Sequence, residues 1–143
     1  MTQMIFVNLP VADLEKSKAF YSAIGFTNEP KCTDETADDM QLIDAIVVML
    51  LTHDKWKQFT SKAIPNAKES AQVMNALGRD SREAVDAMVE QAKAAGGTPD
   101  CNPVQDYGFM YGRSFEDLDG HIWETFWMDP AAAEAGPPDM AEA

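Results

Sequence analysis

Glu124 is a carboxylate placed where a carboxylate is costly. It lies in the run Ile122-Trp123-Glu124-Thr125-Phe126-Trp127, among aromatic and β-branched neighbours. An ionised group is expensive to bury without a partner. Two readings follow: a surface-facing residue on an edge strand, or a polar anchor lining a cavity. In a cavity it would accept a hydrogen bond from a ligand, or act as a base toward an acidic C–H or O–H. Upstream, Tyr111 and Arg113 have the even spacing that puts side chains on one strand face. They read as ligand-binding residues or as a surface pair.

The remaining reactive residues are sparse. Cys32 and Cys101 are isolated, with no C-x-x-C spacing. There is no G-x-S-x-G elbow and no glycine-rich phosphate loop. His53 sits beside Asp54 and Lys55 in what reads as a polar turn. His121 is three residues from Glu124, an odd spacing that sends the two side chains to opposite faces of a strand.

These residues need a scaffold, and the chain length of 143 residues suits one domain. It carries 24 acidic against 11 basic residues, a net charge of −13. Binding to nucleic acid phosphates requires Lys and Arg to replace counterions, so nucleic acid is excluded as an expected partner. An anionic membrane surface is disfavoured for the same reason. The longest apolar run, Ala45 to Leu51, is too short to span a bilayer. The first residues lack a signal-peptide pattern. With two unpaired thiols, the expected location is the cytoplasm.

The order of elements can be read along the chain. Ile5 to Leu9 reads as a strand, and Asp13 as the N-cap of a helix with Leu14, Ser17, Phe20, Tyr21 and Ile24 at helical spacing. Gly25 closes it. A short strand at 26–30, an acidic loop at 33–39 and strands at 40–43 and 45–51 follow. A second round reads as a strand at 71–77, a helix opened by a capping box of Asp80 and Glu83, and a weak strand near 100–104. It ends on a hairpin over 108–127, turned by Asp119-Gly120, a pair that tolerates the positive φ of a tight turn. The fold class is α+β: two tandem βαβββ modules in one domain, 1–129. Module one spans 3–52, a linker 53–70 and module two 71–128. Residues 130–143 read as a flexible acidic tail.

Two motifs carry a family likeness. The opening run Val7-Asn8-Leu9-Pro10-Val11-Ala12-Asp13-Leu14-Glu15-Lys16-Ser17-Lys18-Ala19-Phe20-Tyr21, followed by Ile24-Gly25-Phe26, resembles V-x-D-L-x-x-S-x-x-F-Y and L-G-F of the vicinal oxygen chelate superfamily. The closing run Asp117-Leu118-Asp119-Gly120-His121-Ile122-Trp123-Glu124 resembles that family's D-P-D-G-x-x-x-E hairpin. The superfamily includes glyoxalase I, bleomycin-resistance proteins and extradiol dioxygenases. The resemblance implies a curved, barrel-like mixed sheet around a pocket, and a homodimer. It also implies four ligand positions for a divalent metal, which fall here on Phe6, Met49, Val73 (with Gln72 as its neighbour) and Glu124. Phe, Met and Val offer no hard donor. The expectation is therefore no cofactor and no metal centre, with a divalent metal disfavoured.

The implied pocket is lined by Phe6, Asn8, Met49, Val73 and Glu124, mostly apolar with few polar groups, which suits a small organic ligand. Two functions stand. One is a metal-free binding protein of the bleomycin-resistance type. The other is a glyoxalase-type lyase or dioxygenase-like enzyme, with Glu124 as base or metal ligand.

Overall fold

The computed structural model describes residues 3–136. The first module runs β1 (Ile5–Val11), α1 (Leu14–Ala23), β2 (Thr27–Asn28), β3 (Ala37–Ile43) and β4 (Ile46–Thr52). Its sheet has the order β1-β4-β3-β2, with β1 and β4 parallel. A short helix, α2 (His53–Trp56), opens the linker. The second module runs β5 (Met74–Gly78), α3 (Arg82–Ala94), β6 (Thr98–Pro99), β7 (Gln105–Asp106), β8 (Met110–Glu116) and β9 (Ile122–Met128). Its order β5-β9-β8-β6 repeats the first, with β5 and β9 parallel and β7 also paired to β8. The tandem βαβββ architecture is thus present. Among the described residues the two sheets do not pair with each other, so they form no closed barrel.

Local chemistry explains the helices. The Asp13 carboxylate accepts the Lys16 N–H at 3.0 Å and starts α1. For α3 the cap is Ser81, whose Oγ accepts from the Ala84 N–H, so the helix starts one residue later than a cap at Asp80 would place it. The core lies between the modules. Phe20, Tyr21 and Phe26 meet Phe115 and Trp123 with ring centroids 6.0 to 6.3 Å apart, mostly edge-on. Met88, Val89 and Ala92 of α3 complete it.

Several boundaries differ from the sequence reading. The acidic loop expected at 33–39 ends early, because β3 begins at Ala37. Asp38 and Asp39 are only 1% and 4% exposed. The pairing of β3 with the apolar strand β4, Asp38 opposite Leu50 and Asp39 opposite Met49, pulls both carboxylates into the sheet. The weak strand near 100–104 is instead a loop between β6 and β7. The expected flexible tail starts with a helix, α4 (Pro130–Ala135), capped by Asp129. The rest of that tail, 137–143, lies outside the described residues. No helix among the described residues is long and apolar enough to cross a membrane.

Candidate functional site

The two sheets present matching rows of side chains on the faces turned away from the helices. In the first, Asn8, Met49 and Asp39 lie side by side across β1, β4 and β3. In the second, Ala76, Glu124 and Ser114 lie side by side across β5, β9 and β8. Met49 and Glu124 therefore hold equivalent positions in the two modules. Alternation sends their neighbours Val48 and Trp123 to the core side, where both are buried.

Glu124 is half-buried and lines a cavity of about 210 Å³ with Gln105, Met110, Ser114 and Phe126. The wall opposite the sheet is the loop after β6. Its Asn102 N–H donates to Ser114 Oγ at 2.8 Å, which places Pro103 over the strands. The Glu124 carboxylate makes no hydrogen bond with another described residue, so it is available to a guest.

Of the other expected pocket residues, only Arg113 borders that cavity. Phe6 and Asn8 are exposed and Met49 is half-buried, all on the outer face of the first sheet. Val73 precedes β5 and is 65% exposed. The N-caps Asp13 and Ser81 align the modules so that Phe6 corresponds to Met74. The third ligand position thus falls on Met74, one residue from Val73. Asn8 and Val73 do share a different cavity, of about 420 Å³ under the linker.

Tyr111 and Arg113 share a strand face, but it is the opposite one from Glu124. Arg113 and Thr125 are directly paired across β8 and β9, and Thr125 is fully buried on the α3 side. Arg113 bonds Asp86 and Glu90 of α3 at 3.1 and 3.2 Å and Asp100 at 2.8 Å. The Tyr111 hydroxyl donates to Asp86 at 2.6 Å. Arg82 stacks over the Tyr111 ring and pairs with Asp106. These bonds hold Asp86, Asp100 and Asp106 below the usual carboxylate range. These contacts engage the Tyr111 hydroxyl and most Arg113 donors with α3 and Asp100, so both side chains clamp α3 on the sheet face opposite Glu124.

The four family ligand positions fit a divalent metal poorly. Phe6, Met49 and Met74 present a ring and two thioethers, and Glu124 alone brings a hard oxygen. Among the described residues no group of three or more His, Cys, Asp and Glu side chains converges on one point.

Asp39 was missed by sequence reasoning, which read it as solvated. Its Oδ1 has no partner, although it lies in the row with Asn8 and Met49. Burial pushes the carboxyl up, against the pull of the Gln41 amide. The signal available was the apolar run Ala45 to Leu51, the partner strand that buries it.

The two signature motifs touch. Asp119 of the hairpin turn accepts the Ala12 N–H at 2.9 Å and the Ser17 hydroxyl at 3.4 Å. His121 Nε2 donates to the Pro10 carbonyl at 2.8 Å. Asp117 accepts from Tyr21 Oη at 2.6 Å. The closing hairpin is thereby docked on the end of β1 and on α1, 96 to 111 residues away.

Comparisons with known proteins agree with this architecture. A sequence model described as bleomycin resistance protein-like N-terminal matches residues 3–36. A hypothetical protein from S. aureus is 32% identical, over 89% of this chain and 95% of its own, with a TM-score of 0.73. The chain belongs to the vicinal oxygen chelate superfamily. A glyoxalase/bleomycin resistance protein/dioxygenase family enzyme from Burkholderia phytofirmans PsJN has a TM-score of 0.72 at 18% identity, over 89% of this chain and 99% of its own. The fosfomycin resistance protein FosX from Listeria monocytogenes has a TM-score of 0.64 at 21% identity, over 89% and 93%. These last two likenesses concern the fold. No curated protein matches the chain.

Proposed function

We propose that this superfamily member is a metal-independent binding protein for a small organic ligand, held against the outer sheet faces with Glu124 as the polar anchor. The carrying observation is the row of equivalent positions: Met49 and Met74 stand with Phe6 where hard donors would be needed, and Glu124 alone keeps a carboxylate, with no partner among the described residues. The cavity beside Glu124, about 210 Å³, is smaller than the roughly 300–1,000 Å³ usual for drug-sized ligands. A second copy of the chain would enlarge it.

Such a partner has a place to sit. Met4, Ile5, Phe6, Ile43, Val73 and Met74 are each 48% to 65% exposed, an apolar set at the starts of β1 and β5 and the end of β3. Among the described residues the outer edges of β1 and β5 are unpaired. In the proposed homodimer the Phe6, Asn8 and Met49 face of one copy closes over the Glu124 face of the other. Free Cys32, which is exposed, fits a reducing cytoplasm.

A second reading, a lyase or dioxygenase-like enzyme with Glu124 as general base, is favoured by the free carboxylate alone. Elemental analysis and light scattering on the purified protein test the proposal together. Substoichiometric metal, a dimer mass and ligand-induced thermal shifts after treatment with a chelator are expected. One ion per chain that is lost in Glu124→Ala, or a monomer at micromolar concentration that still binds, would overturn the metal-free or the dimeric part.

A further inference from the structure

We infer that the groove beneath the linker is a second ligand site, separate from Glu124 and selective for an organic anion with an apolar body. Two cavities of about 700 and 420 Å³ lie there and share Pro10, Ala63, Pro65, Ala67 and His121, so they form one continuous groove. Its inner part is walled by Val7, Trp56, Val73 and Ile122. Its mouth carries Lys57, Lys68 and His53, and Lys62 borders the inner part.

The charge distribution makes this groove unusual. The chain carries −13 overall, yet the segment 53–70 has Lys55, Lys57, Lys62 and Lys68 against Asp54 and Glu69. Among the described residues every ion pair uses an arginine, so these lysines have no carboxylate partner. An acidic protein repels anions at long range. A local cluster of unpaired cations around an apolar groove is where an anion would be held. The acidic lining residue, Asp119, is turned to α1 by its bonds with Ala12 and Ser17. His121 spends its Nε2–H on the Pro10 carbonyl.

The groove is also built. Asn66 organises the linker, its Oδ1 accepting the Lys68 N–H at 3.0 Å and its carbonyl accepting from Glu69 and Ser70. The linker crosses the hairpin turn at Gly120 so closely that a Cβ there would lie 2.8 Å from Ala67 and Lys68 backbone atoms. Small residues, Ala63, Ala67 and Ala71, face the space. Close backbone contact at one end and short side chains along the span leave the groove open. A carboxylate, sulfonate or phosphate ester head would pair with Lys57 and Lys68, and a ring or chain would lie along Val7, Trp56 and Ile122.

The inference does not depend on the role of Glu124. Calorimetric titration of the full chain with 2-naphthoate, 2-naphthamide and 2-naphthylmethylamine tests it, since the three share one apolar body and differ in charge. Naphthoate is expected to bind at least tenfold more tightly than the amide, and the amine most weakly. Lys57→Gln with Lys68→Gln should bring naphthoate to the level of the amide and leave the amide unchanged. Both lysines are exposed, so the double variant should keep the wild-type thermal midpoint. Glu124→Gln should leave naphthoate binding intact. Equal affinity for the three probes, no binding at millimolar concentration, or retention of naphthoate binding in the lysine variant would overturn the inference. Loss of naphthoate binding in Glu124→Gln alone would move the anion to the other site and overturn it as well.

Discussion

Tyr21 Oη donates a 2.6 Å hydrogen bond to Asp117 Oδ2 and accepts one of 3.0 Å from Trp123 Nε1, inside the core. One hydroxyl therefore joins α1 of the first module to the turn and to β9 of the hairpin that carries Glu124. Asp117 also takes the Asp119 and His121 N–H groups on its other oxygen, at 3.0 and 2.9 Å. The site's orientation rests on this cluster, which no single motif contains.

Tyr21→Phe should keep the ring packing and remove the hydroxyl. It leaves the Trp123 N–H and one Asp117 oxygen buried without a partner, at a cost of about 1–3 kcal/mol for such groups. Denaturant unfolding with an unchanged m-value and a lower midpoint is the expected result. An unchanged midpoint would mean that the hydroxyl does not join the modules.

The buried aspartates set the pH response. Burial raises Asp38, Asp39 and Asp117 above the ordinary value of 3.8. The folded state then binds protons more readily than the unfolded chain between the raised values and 3.8. Stability should increase as pH falls from neutral through that interval. Asp34, Asp86, Asp100 and Asp106 are lowered instead, by hydrogen bonds and by Arg82 and Arg113. Their contribution is present above 3.8 and is lost as pH falls through their depressed values. The thermal midpoint should peak on the acid side of neutral and drop below the ordinary aspartate range.

Asp38→Asn and Asp39→Asn test the same point at neutral pH. Each carboxylate has an unpartnered buried oxygen. Removing the charge should stabilise the fold by about 1 kcal/mol each, within the usual cost of an unsatisfied buried group. The double variant should also flatten the acid-side rise. A lower midpoint at neutral pH would show that these carboxylates are satisfied in solution.

Much of this was legible from the chain. The N-capped helices, the Asp119-Gly120 turn and the repeated element order follow from local chemistry, and the module architecture matched. What failed was non-local. Asp38 and Asp39 look solvated until β4 is laid beside them, because pairing, not composition, buried them. Tyr111 and Arg113 were correctly put on one face, but spacing cannot say which face a helix will cover. Asp86, Glu90 and Asp100 came from elsewhere in the chain to claim them. The linker, long for a plain connection and carrying Trp56 and Pro65, suited a cavity lid, but its sequence could not say which strands it would cross.

Arg113→Met should separate docking from binding. The side chain is 13% exposed and its three carboxylate partners are 37% to 59% exposed, so solvent screens the pairs. A loss of about 1–2 kcal/mol is expected for the buried charge-assisted bonds after that discount. Ligand affinity at the Glu124 face should stay within a factor of two or so, within normal surface-mutation scatter. A selective loss of binding with stability retained would return Arg113 to the site.

Glu124 is the decisive position. Among the described residues its carboxylate has no ion pair and no hydrogen bond, and alternation with buried Trp123 and Thr125 keeps it on the open face. Glu124→Gln preserves shape and removes the charge. Stability should therefore change by less than about 1 kcal/mol, since no buried pair is broken. If the carboxylate anchors a ligand, affinity for compounds found in a thermal-shift screen should fall at least tenfold, about 1.4 kcal/mol. Gln still accepts a hydrogen bond, so a neutral donor ligand would lose less than a cationic one. For the enzymatic reading, the amide cannot take a proton, and turnover would vanish while binding persisted. Unchanged affinity and no activity in either protein would remove Glu124 from both readings and leave the linker groove as the binding site.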